Sequence, residues 1–161
     1  MPGTPSPFNP RLVWRAIKHW RGTARPPHAL QDWLTDPGSL TARLIAKSHG
    51  AFDVQVLRQV IGRPTPNECV ALGLGFNELA LVREVVLRGQ GRPWVFARSL
   101  LPLSSLTGEL HHLRRQGSRP LGAFLFSQPH LQRSPLEITR ITPGQGYVPA
   151  KYAGTSTLWG R

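Results

Sequence analysis

LVREVVLRGQGRPWVFARSLLPL, residues 81–103, is the stretch on which the fold turns. Two runs rich in β-branched and aromatic residues flank Gly89-Gln90-Gly91-Arg92-Pro93, where the glycines take positive φ at little cost. The segment is therefore a β-hairpin. Side chains alternate faces along a strand, which puts Leu81, Arg83, Val85 and Leu87 on one face. Three of the four are aliphatic, so that face is buried and Arg83 carries a guanidinium into it. The return strand repeats the oddity, with Arg98 sharing a face with Trp94, Phe96 and Leu100. Arginine stays protonated, so a buried one needs an anion, and its planar fork suits a carboxylate or phosphate. Two readings stay open on these residues alone: an anionic ligand at Arg83, or an internal ion pair with Glu84 or Glu137. A bulge in either strand would move side chains to the other face.

The chain has 161 residues, enough for one domain with its own core. Its formal charge of +12 makes nucleic acid or an anionic membrane surface worth weighing as partners. The charge is scattered singly, with no block of five or more, and arginine far outnumbers lysine in a chain rich in Ala, Gly and Pro. That pattern looks like a general compositional bias, and it points away from a specific nucleic-acid partner. A small anionic ligand would be attracted by the same field. The single cysteine, Cys69, excludes an internal disulfide and any multi-cysteine metal site. No apolar run is long enough for a membrane span, and no secretory signal is visible, so a cytoplasmic location is expected.

Residues 1–10 hold four prolines and form an extended arm. Residues 11–21 can make a short amphipathic helix, expected to pack on the domain rather than lie on a membrane. Residues 28–36 form another, with Leu30, Trp33 and Leu34 inward. Ser39 fits the N-cap of a helix over 40–48 that presents Leu40, Leu44 and Ile45 and ends at His49-Gly50. Period-two alternation then marks a strand, with Phe52, Val54, Val56 and Val60 on one side and Asp53, Gln55 and Gln59 on the other. Residues 62–67 read as loop, and 68–74 as one helical turn or an extended crossing. Past the hairpin come helices over 106–116 and 120–127 and a strand over 136–141. In the tail, Tyr147, Tyr152 and Trp159 can pin the chain down. His111 and His112 are an exposed helix end rather than a metal site, because adjacent residues diverge around a helix. Adjacent antiparallel strands with segregated helices give an α+β fold, a single antiparallel sheet with helices packed on one face.

WLTDPGSLTARL (33–44), the 81–108 segment, RPLGAFLF (119–126) and LWGR (158–161) together resemble the chorismate pyruvate-lyase family in order and spacing. The resemblance covers 29–161 as one chorismate-lyase-like domain, with 1–28 as an N-terminal arm and short helix. It implies an enzyme that releases the enolpyruvyl group of chorismate as pyruvate and leaves 4-hydroxybenzoate for ubiquinone, without metal or organic cofactor; a monomer is expected. It also implies a ligand site enclosed beneath two helical flaps. Arg83 matches the arginine that binds the ring carboxylate. Leu121 matches a ligand-contacting leucine, and Leu40 stands where the family usually has methionine, a volume-conserving exchange. Arg98 matches a second arginine near the site.

The resemblance departs at the end. Members of the family continue past LWGR into a final strand whose glutamate contacts the hydroxyl side of the ring, and no Glu or Asp follows Glu137 here. No residue can be assigned as general acid. If the chain ends naturally at Arg161, little or no turnover is expected. The alternative function is a non-catalytic binder or sensor of small aromatic acids with the same fold. Related regulators carry a winged helix-turn-helix before such a domain, for which the N-terminal residues here are too few.

Overall fold

The computed structural model describes residues 12–161, so the expected proline-rich arm lies outside the described residues. Two compact units are present, residues 41–129 and a second built from residues up to 40 with 130–161. The α+β class holds. The strands form a three-stranded antiparallel sheet in the first unit and a two-stranded one in the second.

In the first unit, β1 (Phe52–Gly62), β2 (Ala80–Gly89) and β3 (Arg92–Pro102) lie in the order β1-β2-β3. Gln90 and Gly91 alone turn the hairpin, with φ of 52° and 74°. Positive φ at both positions matches the right-handed twist of the flanking strands. The turn is thus tighter than the expected five residues, and Arg92 and Pro93 belong to β3. Strand β2 is buried on both faces almost throughout, not on one. Leu81 packs with Leu106 and Leu113, and Leu101, Leu103, Leu110, Leu121 and Phe124 close around them. The face that carries Leu81 and Arg83 is thereby covered by two helical segments. One is a 3-10 helix, Gly108–Arg115, where the sequence predicts an α-helix, and the other is α4 (Leu121–Phe126). Gly108 and Gly117, both at positive φ, bound the first segment. Within it Leu110 and Leu113 sit three apart, the spacing a three-residue turn stacks on one side. Helix α2 (Leu40–Lys47) is as expected, although Ile45 is exposed. Helix α3 (Pro66–Leu72) starts earlier than predicted because Thr65 and Glu68 form a capping box.

Two bulges correct the parity argument. The β1–β2 register slips between Val56 and Arg58, and the β2–β3 register between Leu87 and Arg88. An extra residue in one strand reverses which face later side chains occupy. Val54 and Val56 stand opposite Leu87 and Val85, but beyond the slip it is Gln59 that stands opposite Arg83. Val60 stands opposite Val82 instead. Gln59 therefore joins the Arg83 face, and Val60 leaves the side assigned to it by alternation.

In the second unit, β4 (Thr139–Ile141) pairs with β5 (Leu158–Gly160), and α1 (His28–Thr35) and α5 (Ala150–Ala153) complete it. The amphipathic helix expected over 11–21 is absent among the described residues. Arg15 exchanges backbone hydrogen bonds with Ile138 at 3.0 and 2.7 Å, leaving only a 3-10 turn, Ile17–His19. Tertiary pairing outweighs the helical periodicity there. Trp20 donates through Nε1 to the Ile138 carbonyl and meets Trp159 edge to face, and the rings of Trp14 and Tyr147 also meet edge to face. Arg161 Nη1 donates to the carbonyls of Trp33 and Asp36, closing the C-terminal end of α1.

Candidate functional site

Arg83 sits in the middle of β2, flanked by aliphatic residues on its own face, and is 2% exposed. Its Nη1 donates to Gln59 Oε1 at 2.7 Å and its Nη2 to the Arg119 carbonyl at 3.2 Å. Gln59 Nε2 in turn donates to the Arg114 carbonyl at 2.8 Å. Gln116 Nε2 reaches the carbonyls of Arg119 and Pro120 at 3.3 and 3.5 Å. The two glutamines thus hold the segment between the 3-10 helix and α4 against the guanidinium.

Every partner in this network is neutral. All eight Asp and Glu residues of the chain lie within the described region, and none pairs with Arg83 there. Burial pulls the guanidinium below its ordinary pKa, yet it starts so high that the charge persists at neutral pH. An arginine has five N–H donors, of which two are engaged. What remains is a buried cation with donors to spare and no counter-charge among the described residues.

Arg98 has the opposite surroundings. It stands opposite Glu84 in the register, one position off the Arg83–Ser99 pair, and so on the other face of the sheet. Its Nε and Nη2 donate to the two Glu68 oxygens at 2.6 and 3.1 Å, and its Nη1 to Glu84 Oε1 at 2.6 Å. Burial works against this charge, but hydrogen bonds and Coulomb attraction from both carboxylates outweigh it and raise the pKa. The internal ion pair that the sequence left open for Arg83 is formed by Arg98. The geometry places Arg98 on the face of the sheet opposite Arg83.

Of the three site residues expected from the sequence, Arg83 and Leu121 belong to the same covered face of β2. The Arg119 carbonyl that binds Arg83 lies two residues before Leu121, and Leu121 packs on the cluster around Leu81. Leu40 is half-buried at the first position of α2. The next residues on from Leu40 and Leu121 do meet: a Cβ on Gly122 would lie 3.1 Å from Thr41 Oγ1. A larger residue at Gly122 would require the Thr41 side chain to give by a few tenths of an ångström. Gln59 and Gln116 escaped the sequence reading, because nothing local announces the bulge that turns Gln59 toward Arg83. Among the described residues, no cluster of His, Cys, Asp and Glu could hold a metal ion.

The sequence profile of the family described as Chorismate lyase matches residues 12–161. The chain belongs to that family. Among similar proteins, one from Azoarcus sp. (strain BH72), named "Probable chorismate pyruvate-lyase", is 48% identical over 147 residues. That match covers 84% of this chain and 75% of the relative. A protein of the same name from Pseudomonas fluorescens is 40% identical over 161 residues, all of this chain and 81% of the relative. One from Marinobacter nauticus is 50% identical over 105 residues, 65% of this chain and 56% of the relative.

Proposed function

We propose that this chain is a chorismate pyruvate-lyase, converting chorismate to 4-hydroxybenzoate and pyruvate as a monomeric cytoplasmic enzyme without a cofactor. The reaction breaks the bond between the ring and the enolpyruvyl oxygen. Loss of a ring proton then makes the ring aromatic, and the enol becomes pyruvate. Aromatisation supplies the driving force, so the protein mainly has to orient a dianion out of water and assist the leaving side. Arg83 anchors the ring carboxylate, with Leu121 and Leu40 as apolar contacts. The observation that supports this best is the burial of Arg83 among neutral partners, while Arg98 in the same sheet is neutralised twice over. A carboxylate docking on the free donors completes a charge-assisted fork in a low dielectric.

No residue is assigned as general acid. Glu68 and Glu84 are bound to Arg98, and Glu84 lies on the opposite face of the sheet from Arg83. The second reading, an aromatic-acid binder, rests on that same observation. Incubation with chorismate, following 4-hydroxybenzoate and pyruvate by chromatography, separates the two. Equimolar appearance of both products supports the lyase. Tight binding of 4-hydroxybenzoate with no turnover supports the binder.

A further inference from the structure

We infer that Gln59 is a positioning residue for carboxylate recognition, holding the Arg83 guanidinium through a neutral amide so that the ligand must supply the counter-charge. This rests on the anchoring role proposed for Arg83. The amide is used at both ends with matching polarity, Oε1 accepting from Arg83 Nη1 at 2.7 Å and Nε2 donating to the Arg114 carbonyl at 2.8 Å. Its orientation is fixed by chemistry, since a guanidinium only donates and a carbonyl only accepts. A glutamate at this position could take the first contact, but it would repel the Arg114 carbonyl and cancel the charge of Arg83. An apolar side chain could make neither contact. Where the same sheet neutralises a cation for structure, at Arg98, it uses carboxylates, Glu68 and Glu84. The other described partner of Arg83, the Arg119 carbonyl, is also uncharged. The bulge between Val56 and Arg58 is what brings Gln59 to this face, so the register slip in β1 serves the anchor.

The test compares 4-hydroxybenzoate with its uncharged analogue 4-hydroxybenzamide, by calorimetric titration of the wild type, Gln59→Glu, Gln59→Met and Arg83→Ala, with a thermal melt of each. Gln59→Glu should bind the benzoate at least about 10-fold more weakly, lose preference over the benzamide by a similar factor, and melt no lower than wild type. Gln59→Met adds no charge and should weaken the benzoate by about 5-fold while leaving the benzamide unchanged. A Gln59→Glu protein that keeps the wild-type preference overturns the inference. So does equal weakening of both ligands in Gln59→Met, which would mark a purely structural role and is decisive even if Gln59→Glu fails to fold. Arg83→Ala separates the two levels. If it binds the benzoate normally, the anchor itself is wrong. If it loses the benzoate while the Gln59 variants do not, only the role of Gln59 falls.

Discussion

Arg83 and Arg98 stand on adjacent strands and differ in what surrounds the charge, which makes them a matched pair for mutation. Arg98→Ala would leave Glu68 and Glu84 without their common cation in a mostly buried setting. Removing one partner of a buried ion pair costs about 3–5 kcal/mol, so a clear fall in melting temperature is expected, with binding of 4-hydroxybenzoate retained by whatever folds. Arg83→Ala should behave in the reverse sense without ligand. It deletes a buried charge that has only neutral acceptors, so a melt should show stability unchanged or higher. A large loss of stability in Arg83→Ala would return Arg83 to a structural role. At this scale the sequence was half legible. Alternation and the aliphatic neighbours placed Arg83 inside, but no sequence spacing tells which of two inward arginines has a carboxylate within reach. Glu68 lies in α3, 30 residues from Arg98, and only the packed structure joins them.

Elements were legible where local chemistry and tertiary packing agree. The Gln90-Gly91 turn, the two runs of the hairpin, α2 and α4 follow from turn residues and periodicity. The elements that differ were decided by contacts distant in sequence. Ile138 draws Arg15 into a bridge and pre-empts a helix, and the leucine cluster over Leu81 compresses 108–115 into 3-10 geometry. The bulges were not legible at all, since one extra strand residue leaves no compositional mark. Gly89 offers a test of the second bulge. A Cβ there would overlap the ring of Trp94, which covers it. Gly89→Ala should force the indole aside and cost about 1–3 kcal/mol by overpacking, read as a lower midpoint in denaturant unfolding. An unchanged midpoint would mean that the indole does not rest on Gly89 in solution.

For the molecule as a whole, the charge of +12 is a field without a docking pattern. Anisotropy titrations with duplex DNA or RNA at physiological salt should show weak binding without sequence preference that falls steeply with added salt, because it draws on dispersed charge only. A submicromolar, sequence-selective complex would contradict this. No described helix is long and apolar enough to cross a membrane. The same field favours a small dianion, and the one buried cation left without a counter-charge among the described residues of β2 is where its carboxylate should settle. Calorimetric titration of 4-hydroxybenzoate into the wild type and Arg83→Ala tests this most directly. Each hydrogen bond to a charged group contributes roughly 1.5–3 kcal/mol, and 1.4 kcal/mol is a factor of ten in affinity. Arg83→Ala should therefore bind at least ~10-fold, and up to ~100-fold, more weakly, with Arg83→Lys recovering only part because an ammonium lacks the planar fork. Wild-type affinity in Arg83→Ala would contradict the carboxylate anchor.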